Sequence, residues 1–90
     1  MKYFAGILKM IDVEKVKQYY PQHVDFLVRQ QEKGNIFARG KFSDGTGGLI
    51  IYIAVSNEEA LKLAGSDPYV TLGAASLELY EWDVKGPGIQ

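Results

Sequence analysis

Of the 90 residues, only His23 carries a side chain whose ordinary pKa lies near neutrality. It follows a helix-start signal at Pro21 and precedes Val24, at the edge of an apolar stripe. A carboxylate within reach would hold its ring in one tautomer and favour the imidazolium form. That makes a general base or acid. A helix N-terminus beside it would act the other way and favour the neutral ring. The competing reading is a half-exposed histidine that caps or packs. Asp67, in Asp67-Pro68-Tyr69, supplies a carboxylate. Asp before Pro is also a turn residue that accepts neighbouring backbone N–H bonds, and spacing alone leaves both readings open.

Four further residues are candidate substrate contacts. Lys9 and Ser43 could steady a developing oxyanion. Arg39 could meet an anionic substrate, the alternative being a solvated or ion-paired strand residue. Tyr69 could offer its hydroxyl, the alternative being a buried aromatic with its hydroxyl satisfied. Trp82 is expected to pack in the core or at a subunit interface. The run Gly45-Thr46-Gly47-Gly48 precedes a strand and lacks the Gly-Lys-Ser/Thr of a phosphate-binding loop, so it reads as a hairpin turn.

Composition removes other chemistries. There is no cysteine, hence no disulfide framework, thiolate nucleophile or cysteine-based zinc site. One histidine makes no multi-histidine metal cage, and neither metal nor cofactor is expected. A net charge of −1, with basic residues not interleaved with aromatics, argues against nucleic acid. No apolar run approaches the roughly 18–20 residues that span a bilayer. The apolar N-terminal stretch is broken by Lys9 and has no small-residue cleavage site, so it reads as a strand rather than a signal peptide. A cytoplasmic protein is the expectation.

The elements that must position these residues follow from periodicity and caps. Residues 2–10 read as a strand with two apolar faces. Asp12 caps a short helix from Val13, Pro21 breaks it, and a second helix runs from Pro21 to Lys33 with Tyr20, Val24, Leu27 and Val28 as its buried stripe. Residues 36–42 form a second strand, 43–47 a turn, and 49–55 a third strand on which Leu49, Ile51, Ile53 and Val55 make the more apolar face. Ser56-Asn57-Glu58-Glu59 is a capping box opening a helix that ends at Gly65. Residues 75–84 read as the last strand, within one domain of residues 1–84 and ahead of a flexible tail, 85–90.

The order is βαββαβ, an α+β ferredoxin-like fold with a four-stranded antiparallel sheet and helices on one face. That topology brings His23, Asp67, Lys9, Ser43 and Asp44 to one end of the sheet. It also leaves one face bare. Ile50, Tyr52 and Ala54 on the third strand, with one face of the first, are expected to need cover. A second copy packing sheet to sheet would supply it.

His23, Gly34, Gly40, Gly48, Ser56-Asn57-Glu58-Glu59-Ala60, Asp67-Pro68-Tyr69, Gly73 and Trp82, in this order and spacing, resemble the YciI-like (YCII-related) proteins of the dimeric α+β barrel superfamily. The resemblance implies a homodimer with sheets face to face and an active site built from His23 and Asp67. One departure stands beside the expected pocket: Gly40-Lys41 occurs where the family commonly has Gly-Pro. Related barrels include cofactor-free isomerases, dehalogenating enzymes and monooxygenases, an analogy of fold. The expectation is a cofactor-independent enzyme of isomerase or lyase type in which His23 and Asp67 move a proton on a small organic molecule. The alternatives are a non-catalytic homodimer that binds a metabolite and a purely structural dimer.

Overall fold

A computed structural model describes residues 1–88. Ile89 and Gln90, the end of the expected flexible tail, lie outside the described residues. The chain runs β1 (Lys2–Met10), α1 (Val13–Glu32), β2 (Ile36–Lys41), β3 (Gly47–Ala54), α2 (Asn57–Ala64), α3 (Pro68–Thr71) and β4 (Ala75–Trp82). The strands form one antiparallel sheet in the order β2-β3-β1-β4, the ferredoxin-like arrangement.

The caps act as their sequences dictate. The Asp12 carboxylate accepts from Lys15 N at 3.1 Å to start α1, and Ser56 Oγ accepts from Glu59 N at 3.2 Å to start α2. The short helix α3 is an extra turn beyond the expected elements. Asp67 caps it and Pro68 occupies its first position, where a missing N–H has no cost.

Pro21 does not break the helix. Val13–Glu32 is one 20-residue α-helix with Pro21 inside it. The proline is exposed, so the Lys17 carbonyl left without a donor faces solvent rather than core. Packing of one long face outweighs the local preference of the residue before proline. The buried stripe accordingly shifts from the expected set to Val16, Tyr19, Phe26 and Leu27, whereas Tyr20 and Val28 are exposed.

The sheet faces are also reversed on β3. Phe4 pairs with Tyr52 and Gly6 with Ile50, so Ile50, Tyr52 and Ala54 join Phe4 and Leu8 beneath the helices. Ala60 and Ala64 of α2 are fully buried there, their small side chains letting the helix approach closely. Leu49, Ile51 and Ile53 instead share the uncovered face with Tyr3, Phe37, Tyr80 and Trp82. Two apolar faces of one strand carry no periodic signal to say which is covered. Trp82 is therefore on the open face, 42% exposed, and not in the core.

β2 contains a bulge. Ile36 pairs with Tyr52, but Ala38 pairs with Ile51, so Phe37 and Ala38 together oppose one step of β3. The alternation changes phase there, and Arg39 and Lys41 come to the helix-covered side opposite Ile50 and Gly48. At the start of β3, a Cβ on Gly47 would lie 1.8 Å from the Leu8 carbonyl oxygen, so only glycine permits β1 and β3 to meet this closely. β4 ends at Trp82, two residues before the expected boundary, although Val84 is buried. No helix among the described residues is long and apolar enough to cross a membrane.

Candidate active site

The middle of α1 stands over the sheet and encloses a cavity of about 390 Å³ against β1, β2 and β3. Its helix wall carries Val16, Tyr20, His23 and Val24; its floor includes Leu8, Gly48 and Ile50. Gly48 has no side chain to fill the space.

His23 is held by residues at the start of α3, which packs against α1. Its Nδ1 lies 2.8 Å from Asp67 Oδ1. The His23 side chain is 12% exposed and that of Asp67 fully buried. Asp67 is placed by its own capping role: the same Oδ1 accepts from Tyr69 N at 2.9 Å. A carboxylate only accepts, so the pairing assigns the Nδ1 proton to the imidazole. Nε2 is then the ring's basic nitrogen, and among the described residues it has no hydrogen-bond partner. Asp67 Oδ2 is buried without a partner among the described residues. Oδ1 thus carries both hydrogen bonds that the carboxylate charge receives, one from the backbone and one from the imidazole.

Two tyrosines feel that charge. Burial pushes the Tyr52 hydroxyl far above the usual phenol range, and the Asp67 carboxylate adds to it. Tyr69 is raised by burial, then by Asp67 and Tyr20. Neither tyrosine ionises near neutral pH, so among these groups the imidazole is the one suited to proton transfer there. His23 sits in the middle of one continuous helix and not in the first turn of a new one.

The structure brings together His23, Asp67, Arg39 and Tyr69 and leaves out Lys9 and Ser43. Tyr69 lines the cavity with its ring stacked on His23, but its hydroxyl donates to the Val16 carbonyl at 3.1 Å and is engaged. Arg39 lines the cavity, its Nε donating to Gln31 Oε1 at 3.1 Å. Lys9 lies at the correct end of β1 but on the wrong face: it pairs with Gly47 and Ser76 on the open side, opposite to its neighbour Leu8. Ser43 stays in the exposed hairpin turn, where Asp44 is occupied by Thr46. The strand alternation that carries Lys9 away is a period of two, which an argument about sheet ends alone does not include.

Tyr20 and Lys41 line the cavity and are not among the expected contacts. A helix broken at Pro21 shifts the phase of α1 and so places Tyr20 in the buried stripe instead. Lys41 reaches the site only through the β2 bulge, which has no sequence signature here; its one signal is the departure from Gly-Pro.

A model of the YCII-related domain matches residues 1–83. The chain is 36% identical over 83 residues to "Uncharacterized protein YjpA" of Bacillus subtilis (strain 168), across 91% of this chain and 98% of that protein. Among solved structures it is similar to 5-chloro-2-hydroxyhydroquinone dehydrochlorinase (TftG) from Burkholderia phenoliruptrix AC1100, in complex with 2,5-dihydroxybenzoquinone. That likeness has a TM-score of 0.75 at 20% identity and covers 90% of this chain and 93% of that one. At this identity it is a likeness of fold.

Proposed function

The chain belongs to the YCII-related family, and from that premise we propose that it is a cofactor-independent enzyme whose His23 acts as general base on a small organic molecule bound in the cavity. The observation that carries this reading is the 2.8 Å contact between His23 Nδ1 and the fully buried Asp67 carboxylate, on a ring that lines the cavity. Asp67 orients the ring and stabilises the imidazolium; it is a positioning residue.

In the proposed reaction Nε2 removes a proton from a hydroxyl or from a carbon beside a carbonyl. The electron pair left behind forms a new C=O or C=C bond. It either displaces a leaving group as its anion, so that an acid HX is lost in total, or returns to another carbon with the proton, which is isomerisation. The dehydrochlorinase of the same fold, whose name specifies loss of hydrogen chloride from a chlorinated hydroxyhydroquinone, lends support to the elimination branch. We further propose that the working form is a homodimer closed through the open sheet faces, which the apolar side chains there favour.

A screen of halogenated hydroquinones and of hydroxy-carbonyl compounds, read by halide release and by ultraviolet absorbance, tests the reading. Turnover is expected in the native chain and a loss of about 10²-fold or more in His23→Ala. Turnover unaffected by His23→Ala, or ligands bound with no turnover, would overturn it; the second outcome favours a binding protein.

A further inference from the structure

We propose that the lip of the cavity is a carboxylate-binding subsite formed by Arg39 and Lys41, so that the natural ligand is a small organic acid rather than a neutral phenol. The inference rests on the cavity assigned above as the active site and names the chemical class it takes.

The bulge at Phe37 and Ala38 is what aims both cations. Without it, Ala38 and Gly40 would face the cavity; with it, Arg39 and Lys41 do, on alternate positions about 7 Å apart along the strand. Arg39 is steadied through Nε by Gln31, which leaves its two terminal nitrogens as a fork for a planar carboxylate. Lys41 stands opposite Gly48, so no β3 side chain comes between it and the floor of the cavity. Gly48 is constrained to stay small, since a Cβ there would lie 2.9 Å from the Gly40 carbonyl oxygen.

The distribution of charge points the same way. Among the described residues no acidic side chain lines the cavity, and neither Arg39 nor Lys41 takes part in an ion pair. The nearest buried carboxylate, Asp67, is committed to His23. The remaining walls are mostly apolar, so an anionic group has one favourable position, at the lip, with the rest of the molecule directed toward His23. A carboxylate fits better than a phosphate. The helix facing the cavity presents its middle rather than its N-terminus, so no row of free backbone N–H groups is available for a phosphate dianion. Charged residues on an edge strand such as β2 also discourage strand-to-strand aggregation, but that role does not require both to share one face with a cavity.

The test is calorimetric titration of the full chain with three probes: benzoate, its neutral counterpart benzyl alcohol, and phenyl phosphate. Benzoate is expected to bind at least about tenfold tighter than benzyl alcohol, with the difference shrinking at high salt. Arg39→Gln and Lys41→Met are each expected to weaken benzoate about five- to tenfold while leaving benzyl alcohol unchanged. His23→Ala is expected to keep the preference for benzoate. Equal affinity for benzoate and benzyl alcohol, absence of benzoate binding, or variants that bind benzoate like the native chain would overturn the subsite. Tighter binding of phenyl phosphate than of benzoate would overturn the carboxylate assignment. If benzoate behaves as expected but His23→Ala leaves turnover intact, the subsite stands and the proton-transfer role falls. If turnover depends on His23 but benzoate gains nothing over benzyl alcohol, the proton-transfer role stands and the subsite falls.

Discussion

The imidazole of His23 lies flat on the phenol ring of Tyr69, with centroids 3.8 Å apart and planes 6° from parallel. The stack acts perpendicular to the ring and the Asp67 bond acts within its plane, so the two contacts together fix the direction of Nε2. Tyr69→Phe keeps the stack and loses only the bond to the Val16 carbonyl; stability should fall by about 1 kcal/mol with kcat nearly unchanged. Tyr69→Leu removes the stack. There kcat should fall roughly tenfold or more while KM stays close to native, and nuclear magnetic resonance of the His23 ring should show it mobile.

Asp67→Asn keeps size but exchanges an acceptor-only group for an amide. Because Oδ1 accepts from both Tyr69 N and His23 Nδ1, the amide oxygen is expected to keep that place, so the Nδ1 proton stays while the negative charge is lost. The expected result is a fall of roughly 10²-fold in kcat. The ring-nitrogen chemical shifts of His23 check it directly, by reporting the same tautomer as the native chain.

Tyr52 predicts the alkaline limb of stability. It is essentially inaccessible, and burial followed by the Asp67 charge raises its hydroxyl pKa well above that of an unfolded tyrosine. A raised pKa means that the folded state keeps the proton after the unfolded state has lost it. The stabilisation is complete below about pH 10 and declines above it, by about 1.4 kcal/mol per pH unit for this one group. Tyr52→Phe should remove that slope. Urea unfolding of both chains from about pH 8 to 11 checks it, the difference between them cancelling the contribution of the lysines.

The open sheet face predicts the oligomeric state. Phe37, Tyr80 and Trp82 are each 42% exposed or more, and Leu49, Ile51 and Ile53 lie on the same face between them. Sedimentation velocity should give a species of twice the 10.0 kDa chain mass. Tyr80→Lys together with Trp82→Lys should shift it to the monomer by placing four like charges across a two-fold interface. A native chain that sediments as a monomer at micromolar concentration would remove the dimer from the proposal.

The parts of this fold that local chemistry dictates are legible in the sequence. Asp12 and Ser56 announce both main helices, Gly65 the end of the second, and Ser43–Gly47 the hairpin. With four strands and two helices placed, topology alone puts His23 and Asp67 at one end, and they are hydrogen-bonded. What the sequence does not reveal depends on competition between local and distant forces. Pro21 signals a break by itself, but packing of the whole α1 face overrides it. β3 is apolar on both sides, so nothing in its pattern chooses the covered face. Lys9 misleads because an end is not a face, and Lys41 stays hidden because the bulge is a property of the pairing of β2 with β3 rather than of either strand.

The bulge in β2 makes the charge of the lip a matter of register. A one-step slip of Phe37–Lys41 along β3, with the hairpin turn taking up one residue, would turn Ala38 and Gly40 toward the cavity and Arg39 and Lys41 away, with His23 and Asp67 on other elements left untouched. Deleting one residue between Ile36 and Arg39 would instead straighten the strand and keep both cations opposite Ile50 and Gly48. The pairing of an edge strand, rather than any change at His23 or Asp67, thus sets the charge presented at the lip.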